Sequence, residues 1–143
     1  MSNPWLCVDA NLVIRLVSDP SDVTIHALWE SWEAEQRRLA APTLLSYDVT
    51  NALFRYQKLG YLSTEAVRLA LEAVLSLPIE LLGDAELHWA ALELAQRLDL
   101  SAAYDAHYLA LAERLEAQFW TADGRLARQV GETLPWVHLV QTG

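Results

Sequence analysis

Cysteine, lysine and long apolar runs are what this chain lacks. One cysteine, Cys7, occurs in 143 residues, which rules out a disulfide framework within the chain. It sits in the first apolar run and reads as a small buried hydrophobe. Lysine occurs once, at Lys58, and ten Lys+Arg stand against 19 Asp+Glu for a net charge of -9. So acidic a balance argues against strong non-specific attraction to nucleic acid, although a local basic strip could still act. The longest apolar stretch, 66–82, is broken by Arg68, Glu72, Pro78 and Glu80 and does not span a bilayer. No basic region followed by an apolar core opens the chain, so a cytoplasmic protein without membrane attachment is expected. Four scattered histidines, His26, His88, His107 and His138, offer no zinc-ligand spacing with the single cysteine. His107 is expected to face solvent on a helix. There is no G-x-S-x-G, and the five glycines build neither a Walker loop nor a dinucleotide fingerprint.

What remains is the composition of a globular protein, 53% hydrophobic and 20% charged, long enough for one cored domain over 1–143. Leu6–Val8 reads as a buried strand, followed by Asp9-Ala-Asn11 and a helical turn through Val17. Asp19-Pro-Ser-Asp22 forms a turn and a cap for a helix to about Arg38, with Ile25, Leu28, Trp29 and Trp32 at helical spacing. A strand at Leu39–Ala41 stops at Pro42, and a helix from Thr43 to Leu59 ends at Gly60. Ser63 starts a helix to Leu77, and Glu80–Leu82 is a short strand. Gly83-Asp84 caps a helix ending near Leu98, and Ser101 caps one over Ala102–Ala117. Phe119–Thr121, a short helix from Asp123 to Val130, and a strand at Trp136–Val140 complete the chain. Strands alternating with helices predict a mostly parallel sheet covered on both faces, a three-layer α/β/α architecture. Ligands of such sheets bind at the carboxyl ends of the strands.

Four aspartates fall where that architecture would gather them. Asp9 follows the first strand and Asp123 follows Phe119-Trp-Thr-Ala122. Asp48 lies within an apolar stripe of Leu44, Leu45, Val49, Ala52, Leu53 and Tyr56, an expensive place for a poor helix former. Asp105 is in the first turn of its helix. Each has an ordinary reading beside the functional one. Asp9 and Asp123 could be helix N-caps, Asp105 could answer the helix dipole, and Asp48 could pair with Arg15 or Arg55. Asn11 could bond a carboxylate or a water, or serve a turn. Grouped carboxylates repel one another and require protons or a cation. Mg²⁺ or Mn²⁺ prefers such oxygen ligands, holds phosphodiesters and activates water, so metal-assisted phosphoester hydrolysis is the expected chemistry.

Val8-Asp-Ala-Asn11, Pro42-Thr-Leu-Leu-Ser-Tyr-Asp48 with Asn51-Ala-Leu53, Tyr104-Asp-Ala-His-Tyr-Leu109 and Trp120-Thr-Ala-Asp123 together resemble the PIN-domain family. The resemblance is greatest to VapC-like toxins of bacterial toxin–antitoxin pairs, and it covers essentially the whole chain in order. It implies a Mg²⁺- or Mn²⁺-dependent endoribonuclease. Asp9, Asp48, Asp105 and Asp123 would be its four acids, with Asn11 and Thr121 in support. Asp9 and Asp105 would hold metal most directly, and Asp48 and Asp123 directly or through waters. The family most often carries Glu at the second acid. Asp48 shortens that reach by roughly 1.5 Å, about one bond, which could make its contact water-mediated or favour Mn²⁺. Arg15, Arg55, Lys58, Arg125 and Arg128 are candidates for a phosphate-binding rim on RNA. The six tryptophans are expected mainly in the core. The resemblance also implies a homodimer and an antitoxin whose apolar helix would lie against the helices at 22–38 and 43–59, near Leu28, Trp32, Tyr56 and Tyr61.

Two alternatives stay open. One is a PIN-like module that binds RNA or protein with weak or no cleavage, which the acidic charge and Asp48 favour. Another is a different Mg²⁺-dependent phosphoester hydrolase. A haloacid-dehalogenase-like enzyme would want Asp where Asn11 stands. A receiver domain would want a lysine near the end of the chain, where there is none.

Overall fold

The structure is a computed structural model, and it describes residues 3–141. Five strands, β1 (Trp5–Val8), β2 (Arg38–Pro42), β3 (Ile79–Leu82), β4 (Gln118–Thr121) and β5 (Val137–Leu139), form one sheet among these residues. The helices are α1 (Ala10–Ser18), α2 (Val23–Ala34), α3 (Leu44–Lys58), α4 (Thr64–Ser76), α5 (Ala85–Leu98), α6 (Ala103–Leu115) and α7 (Gly124–Val130). All four strand pairings are parallel, in the order β3-β2-β1-β4-β5. Parallel neighbours need crossovers, and the helices supply them, giving the expected three-layer α/β/α arrangement.

β1 is the central strand, and its Leu6, Cys7 and Val8 are fully buried. Burial pushes the Cys7 thiol up to about 12, which keeps it an inert packing group. α6 is apolar on nearly every side, with Ala106 and Tyr108 to Ala112 buried between α5 and the sheet. Most predicted element limits lie within two residues of those observed. Two differ in a way that matters locally. α2 ends at Ala34 rather than near Arg38, because Gln36 turns left-handed (φ 56°) and Arg38 starts β2 opposite Trp5. α6 begins at Ala103, so Ser101 is too early to cap it; Ala102 occupies the cap position and gives no side-chain bond. Trp5, Trp29, Trp32, Trp120 and Trp136 pack in or against the core, whereas Trp89 on α5 is exposed. No helix among the described residues is long and apolar enough to cross a membrane.

The strand order positions the candidate site. From β1 the chain crosses to β2 and β3 on one side, then returns to β4 and β5 on the other. A switch point of that kind opens a crevice at the carboxyl ends of the two strands beside it, here β1 and β4. Asp9 follows β1, and Thr121 and Asp123 stand at the end of β4.

Candidate active site

Register brings the first pair together. Val8 pairs with Trp120, and the amide of Asp9 continues the ladder by donating to the Trp120 carbonyl at 3.0 Å. The next residue of β4, Thr121, is wholly buried and donates its hydroxyl to Asp9 Oδ2 at 2.8 Å. Asn11 Nδ2 lies 3.3 Å from both Asp9 Oδ2 and Thr121 Oγ1, while its Oδ1 accepts the Ala122 amide at 3.0 Å. Thr121 Oγ1 in turn accepts the Asp123 amide at 3.0 Å. Asp9, Asn11, Thr121 and the backbone of Asp123 are therefore one hydrogen-bonded unit across two strand ends.

Asp9 occupies the N-cap position of α1, yet its side chain makes no capping bond; it is turned to Thr121 instead. It is only 7% exposed. Burial pushes its carboxyl up to about 7; the Thr121 bond pulls downward and the charge of Asp105 adds to the rise. Asp123 keeps the ordinary role as well: its Oδ1 caps α7, accepting the amides of Arg125 at 3.0 Å and Leu126 at 3.1 Å. The Asp105 carboxyl is raised by burial and then by the charges of Asp123 and Asp48. Asp105 and Asp123 line one small cavity of about 100 Å³ with Ser101 and Arg125.

Asp48 is held differently from either pairing considered for it. Tyr108, buried on α6, donates its hydroxyl to Asp48 Oδ2 at 2.8 Å. Burial raises the Asp48 carboxyl and this bond lowers it, while burial and the adjacent negative charge push the Tyr108 phenol far up. A buried tyrosine hydroxyl requires a partner, and that requirement was the signal that could have singled out Tyr108.

Arg15 does not join a phosphate-binding rim. Its guanidinium bonds Asp22 at 2.6 and 2.8 Å, tying α1 to the cap of α2, because Asp22 lies one loop away on the same side. Arg55, Lys58, Arg125 and Arg128 are exposed; Lys58 lies over the Phe54 ring at 5.7 Å. Trp32 does not wall a groove, since it is buried against Trp29 and Trp120 with ring centroids 5.3 and 5.8 Å away. His107 is half-buried rather than solvent-facing, bonded to the Ala103 carbonyl at 2.7 Å and to His88 at 2.9 Å.

The donor chemistry suits a hard divalent cation. The carboxylates that feel one another are all oxygen donors, and no cationic side chain is among the groups acting on Asp9, Asp48 or Asp105. Asp48 and Asp123 each have one oxygen fixed by a neighbour and one left over. The carboxylates do not already form a coordination shell: among the described residues no three His, Cys, Asp or Glu side chains are grouped closely enough to hold an ion.

A parallel α/β sheet with acids beside its switch point is the class of fold seen here. Within it, residues 6–132 match the PIN domain, and the chain belongs to that family, whose members are in general nucleases. The fold is also that of a toxin–antitoxin complex chain from Klebsiella pneumoniae, with a TM-score of 0.64 and 16% identity over 96% of this chain and 99% of that one. The crystal structure of PAE2754 from Pyrobaculum aerophilum is similar over 87% of this chain and 86% of that one, with a TM-score of 0.62 and 26% identity. No curated protein matches the sequence.

Proposed function

We propose that the protein is a Mg²⁺- or Mn²⁺-dependent endoribonuclease and the toxin of a toxin–antitoxin pair. The observation that carries this reading is Asp9: a carboxylate only 7% exposed at the carboxyl end of β1, held by Thr121 and Asn11, with no cation among its partners. Asp9, Asp105 and Asp123 would hold the ion, with Asp48 contributing directly or through water. When bound, such an ion neutralises the acids, grips a phosphodiester and lowers the pKa of a bound water.

The chain's own residues do the rest. Thr121 and Asn11 fix the orientation of Asp9, Tyr108 fixes Asp48, and the amides of α7 fix Asp123. Arg125, beside Asp105 and Asp123, is the nearest candidate for the substrate phosphate, with Arg55, Lys58 and Arg128 further candidates. Likeness to a toxin–antitoxin complex chain supports an antitoxin partner. A homodimer and a cytoplasmic location belong to the same reading.

Purified protein should cleave single-stranded RNA with Mg²⁺ or Mn²⁺, and Asp9→Asn and Asp105→Asn should each abolish cleavage. Metal-dependent cleavage surviving both substitutions would sink the site. The second reading is a PIN-like module that binds without cutting, favoured by the net charge of -9 and the open spacing of the carboxylates. RNA binding without cleavage under either ion would establish it.

A further inference from the structure

Beside the acids lies a larger cavity of about 490 Å³, between the start of α3, the β3–α5 turn and the start of α6. That volume is in the range of small-ligand sites. Two phenol rings border it, Tyr47 (74% exposed) and Tyr104 (67% exposed). Each immediately precedes a site acid, Asp48 or Asp105. Consecutive residues on a helix are about 100° apart around its axis, so the helices that present the acids present the rings on the adjacent face. The Tyr108–Asp48 bond ties these two helices together at that level.

His88 and His107 line the same cavity, with Nδ1 of His88 2.9 Å from Nε2 of His107. The hydrogen placement follows from one contact. His107 Nδ1 lies 2.7 Å from the Ala103 carbonyl, which can only accept, so this nitrogen carries the hydrogen. In the neutral ring His107 Nε2 then accepts, His88 Nδ1 donates to it, and His88 Nε2 is left with a lone pair. Asp84, also at the cavity, is occupied by Arg114 through two bonds of 3.0 Å. It therefore does not leave an unpaired negative charge to repel an anionic ligand.

We infer that this cavity is a nucleobase subsite for a nucleotide next to the scissile phosphate of single-stranded RNA. Tyr47 and Tyr104 would stack the base, and His88 Nε2 would accept an N–H from its edge. Stacking on exposed aromatics and edge contacts are the means by which unpaired bases are recognised. The inference rests on the ribonuclease reading for its substrate, because the acids Asp48 and Asp105 that would hold the phosphodiester are the chain neighbours of Tyr47 and Tyr104. His88 and His107 orient the base; they are not catalytic residues.

The test uses the full chain and the four nucleoside 5′-monophosphates, with inorganic phosphate as control. At least one monophosphate should shift the ring resonances of His88 and His107, and inorganic phosphate should not. Tyr47→Ala and Tyr104→Ala should weaken that binding roughly 5- to 100-fold. They should raise KM for RNA by a similar factor and leave kcat unchanged. Both rings are exposed, so the variants should melt with the parent. His88→Gln should change which monophosphate binds best. Unmoved KM in the tyrosine variants, an equal response to inorganic phosphate, or a change of oligomeric state in place of a change in KM would overturn the subsite. Monophosphate binding that persists in a chain cleaving no RNA would overturn the ribonuclease reading and leave the subsite standing.

Discussion

Thr121 donates its buried hydroxyl to Asp9 at 2.8 Å, joining the ends of β1 and β4 across most of the chain. The same oxygen accepts the Asp123 amide, so a single side chain orients two of the four acids. Thr121→Ala should leave Asp9 Oδ2 with only the longer Asn11 bond and the Asp123 amide without its acceptor, lowering stability by about 1–3 kcal/mol. RNA cleavage should fall with it. Thr121→Ser keeps the hydroxyl and should restore most of both, as measured by urea unfolding and cleavage rate.

Tyr108→Phe removes the donor to Asp48 and nothing else of the ring. Hydrogen bonds to charged groups contribute about 1.5–3 kcal/mol, so kcat should fall by up to about 100-fold. The Asp48 carboxyl should rise further, moving the acid limb of the pH–rate profile to higher pH. An unchanged profile would assign Tyr108 a packing role alone.

Asp9 makes stability depend on pH in a defined direction. Unfolded, its carboxyl titrates near 3.9; folded, it is pushed up to about 7. Between those values the folded chain binds more protons, so its stability should decline as pH rises from about 4 through 7. The loss should be on the order of a few kcal/mol and should vanish in Asp9→Asn. Asp22, lowered chiefly by the Ile25 amide, and Asp84, lowered chiefly by Arg114, act oppositely at more acid pH. Added Mg²⁺ or Mn²⁺ should raise Tm above pH 7 and lose that effect near pH 5, where Asp9 is protonated.

Asp48→Glu restores roughly 1.5 Å of reach. If Asp48 acts on the ion at a distance, the longer acid should raise activity with Mg²⁺ relative to Mn²⁺. Cleavage rates under the two ions, compared between parent and variant, measure that ratio.

The four aspartates were legible as candidates because their surroundings are local. Asp48 stands out against its apolar stripe, and Asp9 and Asp123 follow short buried strands. Their roles were less legible. Asp9 and Asp123 looked alike as potential N-caps, but only Asp123 caps its helix. Arg15 looked like a phosphate ligand until α1 and α2 packed and gave it Asp22. His107, read as solvent-facing, found His88 only once α5 lay against α6.

The sequence by itself determined the alternation of strands and helices, and with it a parallel sheet. Hydrophobic period, turn residues and caps act over a few residues and need no distant partner. It also supplied the four aspartates and the family resemblance. Only the tertiary structure decided which polar groups face one another: Thr121 with Asp9, Tyr108 with Asp48, His88 with His107. Those choices depend on strand register and on which helix covers which strand. A one-residue slip in either would point the same side chains elsewhere.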